Sequence, residues 1–153
     1  MREVVDQIMA VMDTAFPPEF GEAWTRGQIE GALMLGNCHA MVIDRQGLPP
    51  APGAVAAGFS LSRSAPDEEE LLLFAVDPLY RGRGLGTAML QQLAREAWQR
   101  GARRLLLEMR AGNPAESLYR RHGFEPIGRR PNYYRTPDGT RIDAITFACP
   151  LDY

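Results

Sequence analysis

The stretch RGRGLG at residues 81–86 puts three glycines into five positions, between the apolar run LLLFAV at 71–76 and an apolar stripe further on. Glycine enters the left-handed backbone region without a Cβ penalty, so this run makes a tight loop and not more strand. Beyond it, Leu85, Met89, Leu90, Leu93, Ala97 and Trp98 recur at helical spacing as far as Gly101. Strand, loop and helix therefore follow one another. The N–H groups opening such a helix have no partner within it, and the positive end of the helix dipole lies beside them. That combination cradles an anion.

Three phosphate loops compete for this stretch. A Walker A loop ends in Gly-Lys-Ser/Thr, and here Gly86 is followed directly by Thr87. A dinucleotide fingerprint G-x-G-x-x-G places Gly82 and Gly84 but finds Thr87 where the third glycine belongs. Glu108 falls near the position of a ribose-binding acid, yet DPLYR separates the strand from the first glycine, where that fold turns tightly. The third pattern, R-x-x-G-x-G from Arg81 to Gly86, fits without exception.

Around this centre the pattern predicts a mixed sheet. Val4, Val5, Ile8, Met9 and Met12 predict a helix over 3–15, followed by the loop FPPEFGEA. Thr25 and Gln28 form a capping box ahead of Ile29 and Leu33, the start of a second short helix. Strands are expected at 39–44 and 54–62 around RQGLPPAPG, and at 71–76 after a solvated loop SAPDEEE. RRLLLEM at 103–109 reads as a strand, and 114–122 as a short helix stopped by Gly123. FEPIGRR and RIDAITFACPL read as strands on either side of a loop NYYRTPDGT. This order gives an α/β fold in a single domain, 1–153, and not a regular βα alternation.

Composition removes several classes of function. At 45% hydrophobic and 24% charged residues, the chain has the make-up of a globular domain. No apolar run approaches the ~20 residues of a membrane span, and Asp6, Gln7 and Asp13 interrupt any signal-peptide core, so a cytoplasmic protein is expected. Cys38 and Cys149 stand alone, and His39 and His122 lack ligand spacing, so neither a disulfide framework nor a metal site is expected. The first 77 residues carry 4 arginines against 12 acids, and the remainder 13 against 7. The second half suits an anionic ligand and the first a cationic one. No basic run is interleaved with aromatics, so nucleic acid is not an expected partner.

The glycine loop in its setting resembles that of the GNAT acetyltransferases: FAV, DPLYRGRGLG, a helix, LLLEMR, Asn113 and LYRRHGF follow in order. RRPNYY, PDG, Asp143-Ala144 and the AWT at 23–25 narrow the resemblance to the ribosomal-protein-alanine N-acetyltransferases. It implies the GNAT acyl-CoA N-acyltransferase fold, a mixed, mostly antiparallel sheet flanked by helices. It also implies transfer of acetyl from acetyl-CoA, with no metal, to the α-amino group of a protein's first residue, in that family a ribosomal protein. The same resemblance assigns the main chain of Phe74, Ala75 and Val76 to the acetyl and pantetheine portions. Arg81, Gly82, Arg83, Gly84, Leu85, Gly86 and Thr87 then hold the pyrophosphate, with Asn113 and Arg121 as further cofactor contacts.

Glu108 aligns with the family's proton acceptor and Tyr119 with its proton donor. An α-amine has a pKa of ~7.7–8.0, so a mild base suffices, and a phenol of pKa ~10 stays protonated at neutral pH. Leu105, Leu106, Leu107 and Met109 are expected to desolvate Glu108 and raise its pKa. Tyr133 and Tyr134 are expected to wall the acceptor groove. Two departures from the family pattern stand out. One position fewer separates Asn113 from Tyr119, so either the loop absorbs it or Asn113 loses its contact; and Pro131 interrupts RRNYY. A small-molecule or lysine acetyltransferase, or a silent acetyl-CoA-binding module, would carry the same scaffold.

Overall fold

The computed structural model describes residues 2–152. Helices α1 (Arg2–Ala15) and α2 (Arg26–Met34) precede three strands, β1 (Cys38–Ile43), β2 (Gly58–Ala65) and β3 (Glu68–Val76). Helix α3 (Leu85–Gln99), β4 (Arg104–Arg110), α4 (Glu116–Arg121), β5 (Glu125–Arg135) and β6 (Arg141–Pro150) complete the order. The strands make one six-stranded sheet in the order β1-β2-β3-β4-β6-β5. Only β3 and β4 run parallel, because α3 carries the chain back between them. The expected mixed, mostly antiparallel sheet is therefore present.

Each face of the sheet is covered by helices whose apolar stripes fix their rotation. On one side, Val5, Ile8, Val11 and Met12 of α1, with Ile29 of α2, are buried against Phe59, Leu61 and Leu73. Val4 of the expected stripe turns outward and Val11 takes its place. The expected capping box closes the start of α2: Gln28 N–H donates to Thr25 Oγ1 at 3.2 Å and Thr25 N–H to Gln28 Oε1 at 2.7 Å. On the other side, Leu90, Leu93 and Ala97 of α3 pack on Leu105, Leu107 and Phe147, with Tyr119 of α4 at the edge. Each such fully buried side chain contributes about 1.5–3 kcal/mol, so the two cores hold the sheet between them.

The feature that makes a site lies within β3. Leu61 pairs with Leu73 and Ser62 with Leu71, so Leu72 is an extra residue, a β-bulge. A one-residue insertion reverses which face each later side chain takes. Leu71 accordingly belongs to the α3 side, whereas Leu73 and Ala75 belong to the α1 side and Phe74 returns to α3. At the same point β3 parts from β4, their pairing running only from Glu68↔Arg104 to Leu71↔Leu107. Beyond Leu71 the facing edge of β3 has no strand against it.

Two expectations are corrected. SAPDEEE is no solvated loop: the turn is Pro66–Asp67 alone, and Glu68–Glu70 already lie in β3. Glu69 is fully buried, bound by Arg100 at 2.6 and 2.9 Å and by the Ser62 hydroxyl at 2.6 Å, so its charge is matched inside the sheet. Nor is NYY in a loop, since β5 runs through to Arg135. Arg130 pairs with Ala144 and Tyr134 with Ile142, so Pro131, Asn132 and Tyr133 together bulge opposite Asp143. Asp143 holds this bulge, accepting from Asn132 N–H at 2.8 Å and from Arg129 Nε at 2.6 Å. A bulge needs no ladder N–H from Pro131, which is why a proline is tolerated there.

Candidate active site

The parting of β3 and β4 opens a cleft of about 560 Å³ beside the glycine loop. A second cleft of about 270 Å³ lies between the same two strands. Phe16, Glu22, Phe74, Asn113 and Tyr119 line both, so the two clefts join there.

The first cleft is built as an anion cradle. Gly82 and Gly84 have φ of +78° and +80°, a region that side chains disfavour. A Cβ at either would meet nothing within 4 Å, so the requirement at these two positions is conformational. Gly86 differs: a Cβ there would lie 3.1 Å from Leu118 Cδ2, so glycine is what lets α3 begin this close to α4. The first backbone bond of α3 is Ala88 N–H to Gly84 O. Among the described residues, no hydrogen bond within the chain takes the N–H groups from Gly82 to Thr87, which leaves them for a ligand anion. The residues present therefore fit the diphosphate of a coenzyme A thioester.

The expected cofactor residues divide in three. Phe74, Ala75, Val76, Leu85, Thr87 and Arg121 line this cleft with the glycines. Arg81 lines it too, but its Nε and Nη2 donate to Val76 O and Ala15 O, both at 3.0 Å, tying the loop to the ends of β3 and α1. Arg83 is exposed, its guanidinium 5.6 Å from the Tyr80 ring centre and outside the cleft lining. Asn113 stands just ahead of α4. Its Oδ1 accepts from Ala115 N–H at 2.9 Å, a local turn that starts α4, while the residue still lines both clefts.

In the second cleft Glu108 stands on the α1 side of β4, because alternation sends Leu105, Leu107 and Met109 to the opposite core. Those neighbours do not enclose its carboxylate as expected. Instead Arg130 Nε and Thr146 Oγ1 each lie 3.3 Å from Glu108 Oε2. Tyr119 is 7% exposed, its ring edge-on to Phe74 and Phe124. Burial, with Glu22 adding to it, pushes its phenol above the ordinary tyrosine value, so it stays protonated at neutral pH. Its hydroxyl makes no hydrogen bond to the protein among the described residues. Tyr134 lines the same cleft, and burial, then Glu108, Glu22 and Tyr133, push it up to about 12. Tyr133 is 51% exposed and packs edge-on against Tyr134 from outside the lining.

Sequence reading missed the wall facing these groups. Phe16, Glu22 and Trp24 come from the α1–α2 connection, where the sequence marks FPPEFGEA as a loop and AWT as part of the family resemblance but gives neither a place in the site. Arg110 Nε lies 3.5 Å from Glu22 Oε1, with its guanidinium 3.6 Å from the Phe20 ring centre. The signal available was the cluster of aromatic residues and acids in FPPEFGEAW, too dense for an ordinary connection.

A strand edge opened by a bulge, leading into a free run of N–H groups, makes a site for a ligand with an extended arm and an anionic end. The chain belongs to the GNAT acetyltransferase family, whose domain model matches residues 36–126. It is 45% identical over 96 residues to the ribosomal protein bS18-alanine N-acetyltransferase of Escherichia coli K12, covering 62% of this chain and 64% of that one. The Haemophilus influenzae protein of the same name is 37% identical over 94 residues, 61% and 64% of the two chains. The matched stretch thus spans just under two thirds of these curated relatives. The crystal structure of the ribosomal-protein-S18-alanine N-acetyltransferase from Escherichia coli superposes over 97% of this chain and 88% of its own, with a TM-score of 0.78 and 32% identity. Identity is lower over the full fold than over the matched stretch, so the residues outside that stretch have diverged more. Among the described residues no helix is long and apolar enough to cross a membrane, and no cluster of His, Cys, Asp or Glu is placed to hold a metal ion.

Proposed function

We propose that this protein transfers acetyl from acetyl-CoA to the N-terminal α-amino group of a protein, a ribosomal protein of the bS18 kind, in the cytoplasm. The observation that carries the reading is the junction of the two clefts at Tyr119, with an anion cradle on one side and a carboxylate-lined groove on the other. The names of the relatives support the acceptor class. When bound, acetyl-CoA supplies the activated acetyl thioester. The N–H groups from Gly82 to Thr87 hold its diphosphate, and the free edge of Phe74–Val76 aligns the arm that reaches the junction.

In the second cleft Glu108 accepts a proton from the attacking amine and Tyr119 donates one to the leaving sulfur. Arg130 and Thr146 hold the Glu108 carboxylate in place. Tyr134 forms the groove wall, and Tyr133 braces it from outside.

Mass spectrometry on a panel of peptides tests this. Alanine-started peptides are expected to be acetylated at the α-amine faster than their N-terminally blocked, lysine-containing counterparts. Glu108→Gln and Tyr119→Phe should each keep acetyl-CoA binding and lower kcat by about 10²–10⁴-fold. Faster acetylation of blocked peptides or free polyamines would transfer the reading to a lysine or small-molecule enzyme. Changes under about twofold in both variants would remove the roles given to Glu108 and Tyr119.

A further inference from the structure

We infer that Glu22 is the receptor for the charged acceptor: its carboxylate holds the protonated α-amino group at the junction of the two clefts, ahead of deprotonation by Glu108. The inference rests on the acetyltransferase reading and deepens it. Glu22 is the one carboxylate among the described residues that lines both clefts, whereas Glu108 lines only the second. A group that must meet the amine and stand near the acyl end belongs at that junction.

The species that arrives is a cation, since an α-amine of pKa ~7.7–8.0 is mostly protonated at neutral pH. Around the junction stand Phe16, Phe74 and Trp24, none of which compensates a charge leaving water. An ionised carboxylate does so through charge-assisted hydrogen bonds. Glu22 is free to make them. Among the described residues its one ion pair or hydrogen bond is through Oε1, at 3.5 Å from Arg110 Nε, and Oε2 has none. Arg110 has a second hold on the Phe20 ring, so it stays placed when the carboxylate turns to another cation.

The charged and titratable groups that share a cleft with Glu22 are Arg110 and Glu108 from β4, Tyr119 and Arg121 from α4, Tyr134 from β5, and Tyr80 and Arg81 ahead of Gly82. Arg81 is tied to Val76 O and Ala15 O. The Tyr119 and Tyr134 phenols lie within the field of Glu22, which helps keep them protonated. The proton balance is simple. The ammonium binds with three N–H donors and sheds two protons on becoming an amide. One passes to the Glu108 carboxylate, leaving a neutral amine that still donates to Glu22. The second, released as the C–N bond forms and the C–S bond breaks, replaces the proton that Tyr119 gives to the sulfur.

Steady-state kinetics with an alanine-started peptide, from about pH 6.5 to 9.5, test the assignment on wild type, E22Q and E22D. Below the amine pKa, E22Q should raise the peptide KM by about 10- to 100-fold, the range of a lost hydrogen bond to a charged group. The acetyl-CoA thermal shift should match wild type, showing that E22Q is folded and loaded. The KM difference should close above about pH 9, where the amine arrives neutral, and E22D should recover part of it. Calorimetric titration of the same peptide into CoA-loaded protein at pH 7 reads the contact without turnover. An unchanged KM, a difference equal at every pH, or peptide binding that is absent or insensitive to E22Q overturns the assignment. A wild type that acetylates no peptide α-amine sinks instead the acetyltransferase reading on which it rests.

Discussion

On the hairpin side of Leu72, β3 is paired along both edges, and its buried Glu69 is fastened to Arg100 and Ser62. On the far side the same strand has lost β4, and its open edge runs into the glycine loop. One strand thus has a closed half, where every polar group is matched, and an open half, where main-chain groups are left for a ligand. An unpaired edge inside a protein costs free energy unless something satisfies it. The closed half therefore anchors a segment that would not hold its shape alone, and the bulge divides the two.

The largest expected effect comes from breaking the closed half. Arg100→Met leaves the Glu69 carboxylate buried without its partner, which should cost about 3–5 kcal/mol of stability in thermal unfolding. The pH dependence sharpens this. Burial alone would raise the Glu69 pKa, but the bonds from Arg100 and Ser62 outweigh it and hold the carboxyl below its ordinary value. A depressed carboxyl stabilises the fold above its unfolded pKa of ~4.3, and that contribution is lost as pH falls through the folded value. As pH falls below about 4.3, wild type should lose this contribution, which Arg100→Met lacks, so their difference should narrow. A constant difference would mean that Glu69 is not the group left unpaired.

A smaller effect is expected at the open half. Gly84→Val forces a β-branched residue to φ near +80°, a strain of about 1–3 kcal/mol. Its main consequence should be the loss of most of the thermal stabilisation by acetyl-CoA, which for wild type is about 2.7 kcal/mol at a hundredfold excess over Kd. Retention of the full shift would disconnect the cradle from the open edge. The smallest effects are expected at the outer wall of the second cleft. Tyr134→Ala should raise the peptide KM by about tenfold, and Tyr133→Ala by less than about threefold, since only the first lines the groove. A larger effect at Tyr133 would move the wall outward.

The same division decides what the sequence discloses. The glycine loop and α3 are legible because local periodicity and glycine chemistry specify them, whereas Asn113 and Tyr119 are singled out only by the family resemblance; all lie within the family-matched stretch. The capping box at Thr25 is equally local. The bulge at Leu72 is not legible, since LLLFAV reads as a uniformly buried strand whichever way its side chains turn. Nor is the burial of Glu69, whose partner Arg100 lies 31 residues away. Glu22 and Tyr134 fall outside the matched stretch, and the groove wall forms only where the α1–α2 connection meets β4 and β5. NYY failed as a loop because Asp143, on another strand, supplies the bonds that keep its bulge within the sheet.

A sheet that parts along one seam is also a passage with two mouths. One opens between the glycine loop and α4, the other between the α1–α2 connection and β5, and they meet behind Tyr119. On the proposed reading, the nucleotide-bearing molecule and the protein terminus arrive by different doors and never have to pass each other. The single extra residue at Leu72, where the two strands part, marks where that passage begins.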